Sequence, residues 1–261
     1  MIDMNPILSV ENITKTFHLS KKQQKLEQTQ TKIKVAVNGL SFQAYQGEIY
    51  GLLGPNGAGK TTALRCISTL IKPDSGNIMI NGHSVITEED QVRKHIGFLT
   101  SDLKLEDFFT PNYLFDYFSK LHGISDEVSR ERKKQLFDRF GIGQFAEVKI
   151  GELSTGMKQK VSIAVAIVHD PDVIIFDEPT NGLDVLTARV VTDYLKELKA
   201  MGKTIIISTH IFSLVERLCD RVGIIINGKL LLDEPLSTIA ENEEDLENVF
   251  FNLVEKESEG C

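Results

Sequence analysis

Two patterns of hydrophobic and polar positions divide the chain. The short runs Val173 to Phe176 and Thr204 to Ser208 are almost wholly apolar and rich in β-branched residues, as is typical of strands that are buried on both faces of a parallel sheet. Helices are predicted beside these runs, notably at Leu186 to Ala200 and Phe212 to Cys219. Strands that alternate with helices predict an α/β fold with a parallel sheet at its core.

A long helical stretch interrupts this alternation between Pro111 and Phe140. Its apolar residues recur at helical spacing, and many charged residues lie opposite them. The predicted apolar face consists of Leu114, Phe115, Phe118 and Leu121. We therefore predict a helical subdomain inserted into the α/β body.

Two polar segments lie outside the core pattern. Ser20 to Lys34 is rich in Gln and Lys and predicts a protruding loop. A nucleic-acid-binding arm is the weaker alternative, because the segment lacks aromatic residues and dense charge. The acidic stretch from Glu241 to Lys256 predicts an amphipathic helix packed on the body. Its apolar positions at helical spacing are Leu246, Val249, Phe250 and Leu253.

Composition narrows the possible partners and compartments. The 261 residues carry a formal net charge of −8, so broad electrostatic attraction to nucleic acid or anionic lipid is not expected. No apolar run approaches the roughly 20 residues of a membrane helix, and the first residues do not resemble a secretory signal. We therefore expect the chain in the cytosol. The scattered cysteines lack metal-ligand spacing, and Cys66 and Cys219 are expected to be small apolar core residues.

A glycine-rich segment follows the predicted strand Glu48 to Leu53 and precedes the predicted helix Thr61 to Leu70. This is the context that a phosphate-binding loop requires. Its glycines let backbone N–H groups converge on phosphate oxygens, where the helix dipole adds positive potential. Lys60 is expected to reach the β- and γ-phosphates, and Thr61 to place its hydroxyl on Mg²⁺. The predicted nucleotide-binding residues are Gly54, Pro55, Asn56, Gly57, Ala58, Gly59, Lys60, Thr61 and Thr62.

Two carboxylates, Asp177 and Glu178, follow the apolar run that begins at Val173. Ligands of open α/β folds gather at this edge of the sheet. Asp177 is expected in the Mg²⁺ shell, and Glu178 is expected to polarise the attacking water. Taken alone, the pair is also consistent with a solvated acidic strand end. With the phosphate loop upstream, the two motifs predict a phosphate-loop nucleotidase, a class that includes helicases, kinases and motor ATPases.

The segment Leu153 to Gln159 (LSTGMKQ) precedes an apolar helix predicted over Val161 to Val168. Ser154 is a candidate helix cap, and the backbone N–H groups behind it can bind an anion. Taken alone, a simple helix cap is the favoured interpretation of this segment.

The order of these motifs resembles that of the nucleotide-binding subunits of ABC transporters. In that family a signature of the LSGGQ type lies between the phosphate loop and the acidic strand. LSTGM occupies that place here, with Thr155 and Met157 departing from the commonest form. The resemblance, from about Leu8 to the C-terminal helix, implies a single domain over 1–261 with an N-terminal antiparallel β subdomain. Its expected parts are a catalytic core (7–96 and 169–235), an inserted helical subdomain (97–168) and a C-terminal helix or tail (236–261).

The resemblance implies roles for further residues. Ser154 and Gly156 would touch the γ-phosphate held by a partner subunit. Asp184 closes an Asn-Gly-Leu-Asp segment that resembles the family's D-loop, and it would lie at the dimer seam. His210, after a predicted strand, resembles the switch histidine that contacts the γ-phosphate. The predicted catalytic residues are Glu178, His210 and Lys60.

Two positions leave alternatives open. Phe17 stands where the family has an aromatic residue that stacks on adenine, but core packing is an equal interpretation. Ser101 stands where the family usually supplies a glutamine to Mg²⁺ and to the membrane partner. The sequence does not decide whether Ser101 or Asp102 replaces that glutamine through water, or whether coupling depends on backbone movement.

In the family that the chain resembles, each ATP lies between the phosphate loop of one subunit and the signature of the other. With one of each motif here, the resemblance implies a head-to-tail homodimer with two ATP molecules at its seam. The resemblance also implies a separate integral-membrane permease, docked around Phe108 to Leu121, with the chain in the cytoplasm on the inner face of the membrane. The polar insertion, the LSTGMKQK signature and the segment Glu244 to Phe250 resemble bacterial efflux ATPases. They are most similar to the NatA-type subunits of sodium exporters, which predicts Na⁺ efflux.

Other functions remain as alternatives. The same ATPase design serves drug, antibiotic and polysaccharide exporters. A soluble ABC ATPase that acts on ribosomes or DNA is less favoured, because this single unit is acidic and lacks long coiled coils and zinc motifs. A purely structural nucleotide-binding module is disfavoured by the presence of Glu178 and His210.

Overall fold

The computed structural model describes residues 5–26, 29–100, 105–241 and 245–259, which form two sheets and the helices packed on them. The strands are β1 (Leu8–His18), β2 (Ile33–Ala44), β3 (Ile49–Leu53), β4 (Ser75–Ile80), β5 (His83–Ser84), β6 (Ile96–Leu99), β7 (Val173–Asp177), β8 (Thr204–Thr209), β9 (Arg221–Ile226) and β10 (Lys229–Pro235). The helices are α1 (Lys21–Leu26), α2 (Lys60–Ile67), α3 (Glu89–His95), α4 (Pro111–Leu121), α5 (Asp126–Phe140), α6 (Thr155–Ala166), α7 (Val185–Ala200), α8 (Phe212–Leu218), α9 (Leu236–Glu241) and α10 (Leu246–Glu259). Short 3₁₀ helices lie at Ile142–Phe145 and Ile150–Glu152.

The larger sheet has the strand order β10-β9-β3-β8-β7-β6. Its strands run parallel except β10, which returns antiparallel to β9. Every residue of β3, β7 and β8 is buried. Alternate residues face opposite sides, so Ile174 and Phe176 pack toward the helical layer while Val173 and Ile175 pack toward α2. This confirms the predicted α/β fold with a parallel core.

The smaller sheet is antiparallel, with the order β2-β1-β4-β5. Its apolar side packs with α2 and with one face of the larger sheet, so that α2 contributes to the core between the two sheets. Cys66 of α2 is fully buried there, and Cys219 is buried on the other side of the larger sheet, both as predicted. This arrangement confirms the N-terminal antiparallel β subdomain.

The helical segment differs from the prediction in two respects. The expected boundary at residue 97 is wrong, because Gly97 to Leu99 belong to β6 and pair with β7 in the larger sheet. The predicted apolar face is also only partly buried: Leu114 and Phe115 are 5% and 0% exposed, whereas Leu121 is 66% exposed. Leu121 is the last residue of α4.

The polar insertion and the chain's last helix were predicted with different success. The segment Ser20 to Lys34 was expected to be a loop, but it contains α1 and the start of β2. Helix α10 confirms the predicted amphipathic helix, with Leu246 and Phe250 buried against the body. Within the described residues, no helix has both the length and the apolar character that a membrane crossing needs.

Candidate functional site

The glycine-rich loop connects β3 to α2 at the carboxyl edge of the larger sheet. Gly59 caps α2 with a φ of 106°, and a Cβ on it would lie 2.2 Å from the carbonyl oxygen of Ala36. A Cβ on Gly54 would lie 2.3 Å from the carbonyl oxygen of Ile225. Both positions therefore require glycine, and they hold the loop close to its neighbours while it opens toward the start of a helix.

Lys60, the first residue of α2, is folded back into its own loop. Its Nζ donates hydrogen bonds to the carbonyl oxygens of Gly54 at 2.6 Å and Pro55 at 3.1 Å. The side chain is only 6% exposed. Burial lowers the pKa of Lys60, and the nearby carboxylates of Glu178 and Asp177 partly oppose this effect. The ammonium group is thus held where the loop directs its backbone N–H groups.

Asp177 ends β7 and is 3% exposed. Its Oδ1 accepts hydrogen bonds from the hydroxyl of Thr61, at 3.2 Å, and from the hydroxyl of Ser208. Ser208 lies opposite Asp177 in the parallel register of β7 and β8. Ser208 was not among the predicted site residues, although its place at a strand end, two residues before His210, was a usable signal. The Thr61 and Asp177 oxygens lie together and are the ligand type that Mg²⁺ prefers.

Glu178 is brought against His210 and Lys60. Its Oε1 lies 2.9 Å from Nδ1 of His210 and 3.7 Å from Nζ of Lys60. Because a carboxylate only accepts, this contact places the proton on Nδ1 of His210. Glu178 has a φ of 54°, a left-handed conformation that a non-glycine residue rarely adopts, and its N–H is fixed by the carbonyl oxygen of Ser208 at 3.1 Å. The turn directs its carboxylate back toward the phosphate loop.

These groups surround an open cavity of about 450 Å³, a volume in the range of small-molecule sites. Phe17 lines it and is 39% exposed, so the core-packing alternative for Phe17 is wrong. Gly54 and Asp177 lie just behind the lining, bonded to Lys60 and Thr61. The lining residues are Phe17, Leu19, Gln23, Lys34, Ala36, Pro55, Asn56, Gly57, Ala58, Gly59, Lys60, Thr61, Thr62, Glu178, Asn181 and His210.

Several of these lining residues were not predicted. Leu19, Gln23, Lys34 and Ala36 come from the polar insertion and from β2. Pattern analysis placed the insertion on the surface but could not show which surface it covers. A Ser-Lys-Lys-Gln sequence beginning at Ser20 was a readable helix-start signal.

The predicted signature residues lie elsewhere and are not among the described residues that line this cavity. Ser154 caps α6 by accepting a 3.3 Å hydrogen bond from the N–H of Met157. Gly156 faces α7, since a Cβ on it would lie 2.9 Å from Oγ1 of Thr187. Asp184 caps α7 and accepts the hydroxyl hydrogen bond of Thr187 at 2.7 Å, which lowers the pKa of Asp184. Signature and D-loop are therefore neighbours within one chain.

A second, largely apolar cavity of about 830 Å³ lies where β6 and α4 meet. It is bordered by Phe98, Leu105, Phe109, Tyr117, Phe118 and Leu121. Aromatic rings stack along its edge, with 4.4 Å between the centroids of Phe109 and Tyr113. The predicted coupling positions Ser101 and Asp102 lie outside the described residues.

A phosphate loop, a buried aspartate, a carboxylate and a histidine at the ends of adjacent parallel strands define a phosphate-loop NTPase. Comparison with known proteins specifies the class further. Residues 37–181, more than half of the chain, match the family described as ABC transporter. The chain belongs to this family.

The relatives and a solved structure agree with this assignment. The chain is 38% identical over 228 residues to the ABC transporter ATP-binding protein NatA of Bacillus subtilis, covering 86% of this chain and 93% of NatA. It is 40% identical over 210 residues to the Nod factor export ATP-binding protein I of Burkholderia orbicola, covering 80% and 69% respectively. A dimeric ATP-binding cassette solved in a post-hydrolysis state with ADP and phosphate superposes with a TM-score of 0.76 at 26% identity, covering 88% of this chain and 98% of that chain.

These findings confirm the predicted resemblance. The chain is an ATP-binding subunit of an ABC transporter, and its reaction is the hydrolysis of ATP.

Proposed function

We propose that this chain works as a head-to-tail dimer that hydrolyses ATP to drive a membrane exporter, with Na⁺ as the exported ion. The observation that carries the proposal is the separation of two predicted phosphate contacts. The phosphate loop, Glu178 and His210 share one cavity, whereas Ser154 and Gly156 lie outside it. One chain therefore holds only part of a site that needs both sets of residues.

The surface around the signature supports a contact between two copies. Ser154 and Thr155 are exposed, and Val185 and Leu186, beside Asp184, are 84% and 76% exposed. Val185 and Leu186, at the start of α7, can be buried against a second copy of the chain. The same contact would bring the ATP of the second copy to the N-terminus of α6, which favours an anion. A two-fold dimer forms two complete sites, because each copy contributes one cavity and one signature. The solved dimeric relative is consistent with this arrangement.

The contacts of Glu178 suggest how ATP binding and hydrolysis are linked. Lys60 and His210 hold Glu178 in this structure, and both are assigned to the γ-phosphate. A bound γ-phosphate competes for both, because its charge attracts the ammonium group and its oxygens accept hydrogen bonds. Glu178 is then free to orient and polarise the attacking water. Phe17, exposed at the far side of the cavity, stacks on the adenine ring.

The residues at the end of β7 fit a Mg²⁺ ion bound with the nucleotide. Asp177 is buried, and its oxygen partners in the described residues are the hydroxyl groups of Thr61 and Ser208. Thr61 and Asp177 would hold the ion together with phosphate oxygens and water, as is usual for Mg²⁺. The ion would neutralise charge on the β- and γ-phosphates. Ser101 remains a prediction for this shell.

The apolar cavity beside α4 is the proposed docking site for the permease. Tyr113, Tyr117 and Leu121 line it and are between 49% and 66% exposed. Phe108, whose ring contacts that of Phe109, is 62% exposed. An exposed aromatic and aliphatic patch of this kind marks a protein interface. The cavity also borders β6, which pairs with β7, the strand that ends at Asp177. A displacement of β6 by the docked permease would therefore be transmitted through β7 to Asp177. The chain then lies on the cytoplasmic face of the membrane, attached through the permease.

The proposed cargo is Na⁺. Na⁺ follows from the resemblance of the signature and the insertion to sodium exporters, and the similarity to NatA over most of its length supports that group. The relative named for Nod factor export favours a second candidate, the export of a larger organic molecule. In this family the permease contacts the cargo, so the ATPase residues are shared by both candidates.

Two variants test the catalytic and dimer proposals together. Glu178→Gln should keep ATP binding, lose most turnover and accumulate an ATP-bound dimer in size-exclusion chromatography. Lys60→Ala should weaken binding and hydrolysis together and stay monomeric. Phosphate release at the unmodified rate in Glu178→Gln would contradict the base assignment. A monomeric, ATP-saturated Glu178→Gln variant would contradict the composite site.

The cargo is tested with the permease present. The ATPase and its permease are reconstituted in vesicles, and ATP-dependent ²²Na⁺ transport is measured beside ATP turnover. Na⁺ transport that Glu178→Gln abolishes supports sodium export. ATP turnover that responds to an organic export substrate, without Na⁺ transport, supports the second candidate.

A further inference from the structure

The polar insertion between β1 and β2 forms one side of the nucleotide cavity. Leu19 and Gln23 line the cavity, together with Lys34 at the start of β2. Phe17 and Lys34 are direct partners in the β1–β2 pairing, so the insertion begins next to the ring assigned to adenine. The phosphate loop, residues 55–62, also lines the cavity. Because Lys34 pairs with Phe17, the insertion lies beside the residue where the nucleoside part of ATP is expected.

A hydrogen-bonded helix start fixes the orientation of Gln23. Its Oε1 accepts the N–H of Ser20 at 2.8 Å, and its own N–H donates to Oγ of Ser20 at 3.3 Å. This reciprocal pattern is a capping box. It explains why a Gln- and Lys-rich segment forms a helix at Lys21–Leu26 instead of the expected loop. The base of the insertion is closed by the N–H of Leu19, which donates to the carbonyl oxygen of Lys32 at 2.8 Å.

The capping box leaves one end of the Gln23 carboxamide available. Because Oε1 is engaged by Ser20, the Nε2 group with its two N–H donors is the remaining functional group. No partner for Nε2 occurs among the described residues, and Gln23 lies at the cavity wall. A fixed donor at the wall of a nucleotide cavity is complementary to an acceptor atom of the nucleoside.

We propose that Gln23 donates a hydrogen bond to an acceptor of the nucleoside, either a ring nitrogen of the base or a ribose oxygen, while Leu19 packs beside it. The insertion is thus part of the nucleotide-binding site and not only a surface protrusion. This inference rests on the proposal that ATP occupies the cavity beside Phe17.

The charge of the insertion is consistent with this role. In a chain with a net charge of −8, the segment Ser20 to Lys34 carries five lysines and one glutamate. Positive charge near the mouth of the cavity raises the local concentration of an anionic nucleotide. Gln23 adds a directional contact to this general attraction.

The test separates contacts to the nucleoside from contacts to the phosphates. Dissociation constants for ATP and for inorganic tripolyphosphate are measured by calorimetry with the full chain. Gln23→Ala should weaken ATP binding about three- to tenfold, the range for one net hydrogen bond, and leave tripolyphosphate binding unchanged. Lys22→Ala, an exposed residue of the same helix that does not line the cavity, is the matched control for both ligands.

A second variant separates the donor from the helix cap. Gln23→Glu keeps an oxygen that can accept the N–H of Ser20 but removes the amide donors, and it should weaken ATP binding at least as much as Gln23→Ala. The unmodified chain and Gln23→Ala are then compared with 1-deaza-, 3-deaza- and 7-deaza-ATP and with 2′-deoxy- and 3′-deoxy-ATP. The analogue that lacks the acceptor should bind equally to both proteins.

The outcomes distinguish this inference from the proposed function. If the unmodified chain binds ATP, Lys60→Ala does not, and Gln23→Ala binds as the unmodified chain does, the Gln23 contact is wrong while the nucleotide site stands. Equal weakening by Lys22→Ala would also overturn it, because the effect would then come from charge or helix stability. If Lys60→Ala leaves ATP binding intact, the nucleotide site itself is wrong.

Discussion

The hydrogen bond from Ser208 to Asp177 offers a direct test of the charge environment at the end of β7. Ser208 is fully buried, and Asp177 is 3% exposed. Replacing Ser208 with Ala removes the hydroxyl hydrogen bond and leaves the Thr61 hydroxyl as the side-chain donor to Oδ1 among the described residues. The carboxylate stays desolvated and loses a bond, so the folded state is destabilised.

The expected magnitude follows from the charge of the acceptor. A hydrogen bond to a charged group contributes about 1.5–3 kcal/mol, compared with about 0.5–1.5 kcal/mol for a neutral pair. The substitution also removes the 3.3 Å hydrogen bond from the N–H of Glu178 to Oγ of Ser208. That N–H keeps its bond to the carbonyl oxygen of Ser208 at 3.1 Å, so it is not left without a partner. We therefore expect Ser208→Ala to lower the free energy of unfolding by about 2 kcal/mol.

The assay is urea unfolding of the nucleotide-free chain followed by circular dichroism. Ser68→Ala is the matched control, because Ser68 is also buried and donates to a neutral acceptor, the carbonyl oxygen of Leu64, at 2.8 Å. It should cost about 1 kcal/mol. In an Asp177→Asn background the effect of Ser208→Ala should fall to a similar value, because the acceptor is then uncharged.

Two results would refute this reasoning. The first is a loss of stability in Ser208→Ala no larger than that in Ser68→Ala. The second is the same loss from Ser208→Ala with aspartate or asparagine at position 177. Either result would mean that the hydrogen bond from Ser208 does not stabilise the Asp177 carboxylate. The structure would then no longer support Asp177 as a preformed ligand for Mg²⁺.

Two further predictions concern stability. Burial lowers the pKa of His169 to about 4 from an ordinary value of 6.5. Below pH 6.5 the unfolded state therefore binds a proton that the folded state binds only near pH 4. The free energy of unfolding falls as the pH falls through this window. Between pH 7 and pH 5 this proton uptake lowers the free energy of unfolding by about 2 kcal/mol. His169→Gln can still donate to the carbonyl oxygen of Ile96 but should lack this part of the pH dependence, as urea unfolding at both pH values measures. An unchanged pH dependence in this variant would contradict the prediction. Phe250→Ala should lower the free energy of unfolding by about 3 kcal/mol, because Phe250 is 8% exposed and packs on Phe212 with 5.2 Å between ring centroids. Phe251 is 51% exposed, so Phe251→Ala should lower it by less than about 1 kcal/mol. Thermal unfolding of both variants measures this, and equal losses would show that α10 does not pack as described.

The parallel core and the phosphate loop were predictable because their signals are local. Buried strands such as Val173 to Phe176 need apolar residues at successive positions, and the loop needs glycine where a Cβ would collide with backbone. Leu121 shows the limit of this reasoning. Helical spacing places it on the apolar face of α4, but spacing cannot show which positions of that face other segments cover.

The candidate site was predictable in its parts and not in its connections. Motif order named Lys60, Glu178 and His210, but the contacts that join them depend on how three parallel strands align at one edge. Ser208 was missed because its place at a strand end near His210 does not show which residue it contacts until the register of β7 and β8 sets it opposite Asp177.

By itself, the sequence determined the fold class, the phosphate loop and the family, because hydrophobic period, glycine placement and motif order are properties of neighbouring residues. The tertiary structure decided which distant segments share the cavity. It placed Lys34 beside Phe17, brought Gln23 to the wall of the cavity that the phosphate loop lines, and left the signature outside that cavity. These relations depend on strand register and packing between segments that are far apart in the chain, which local patterns do not encode.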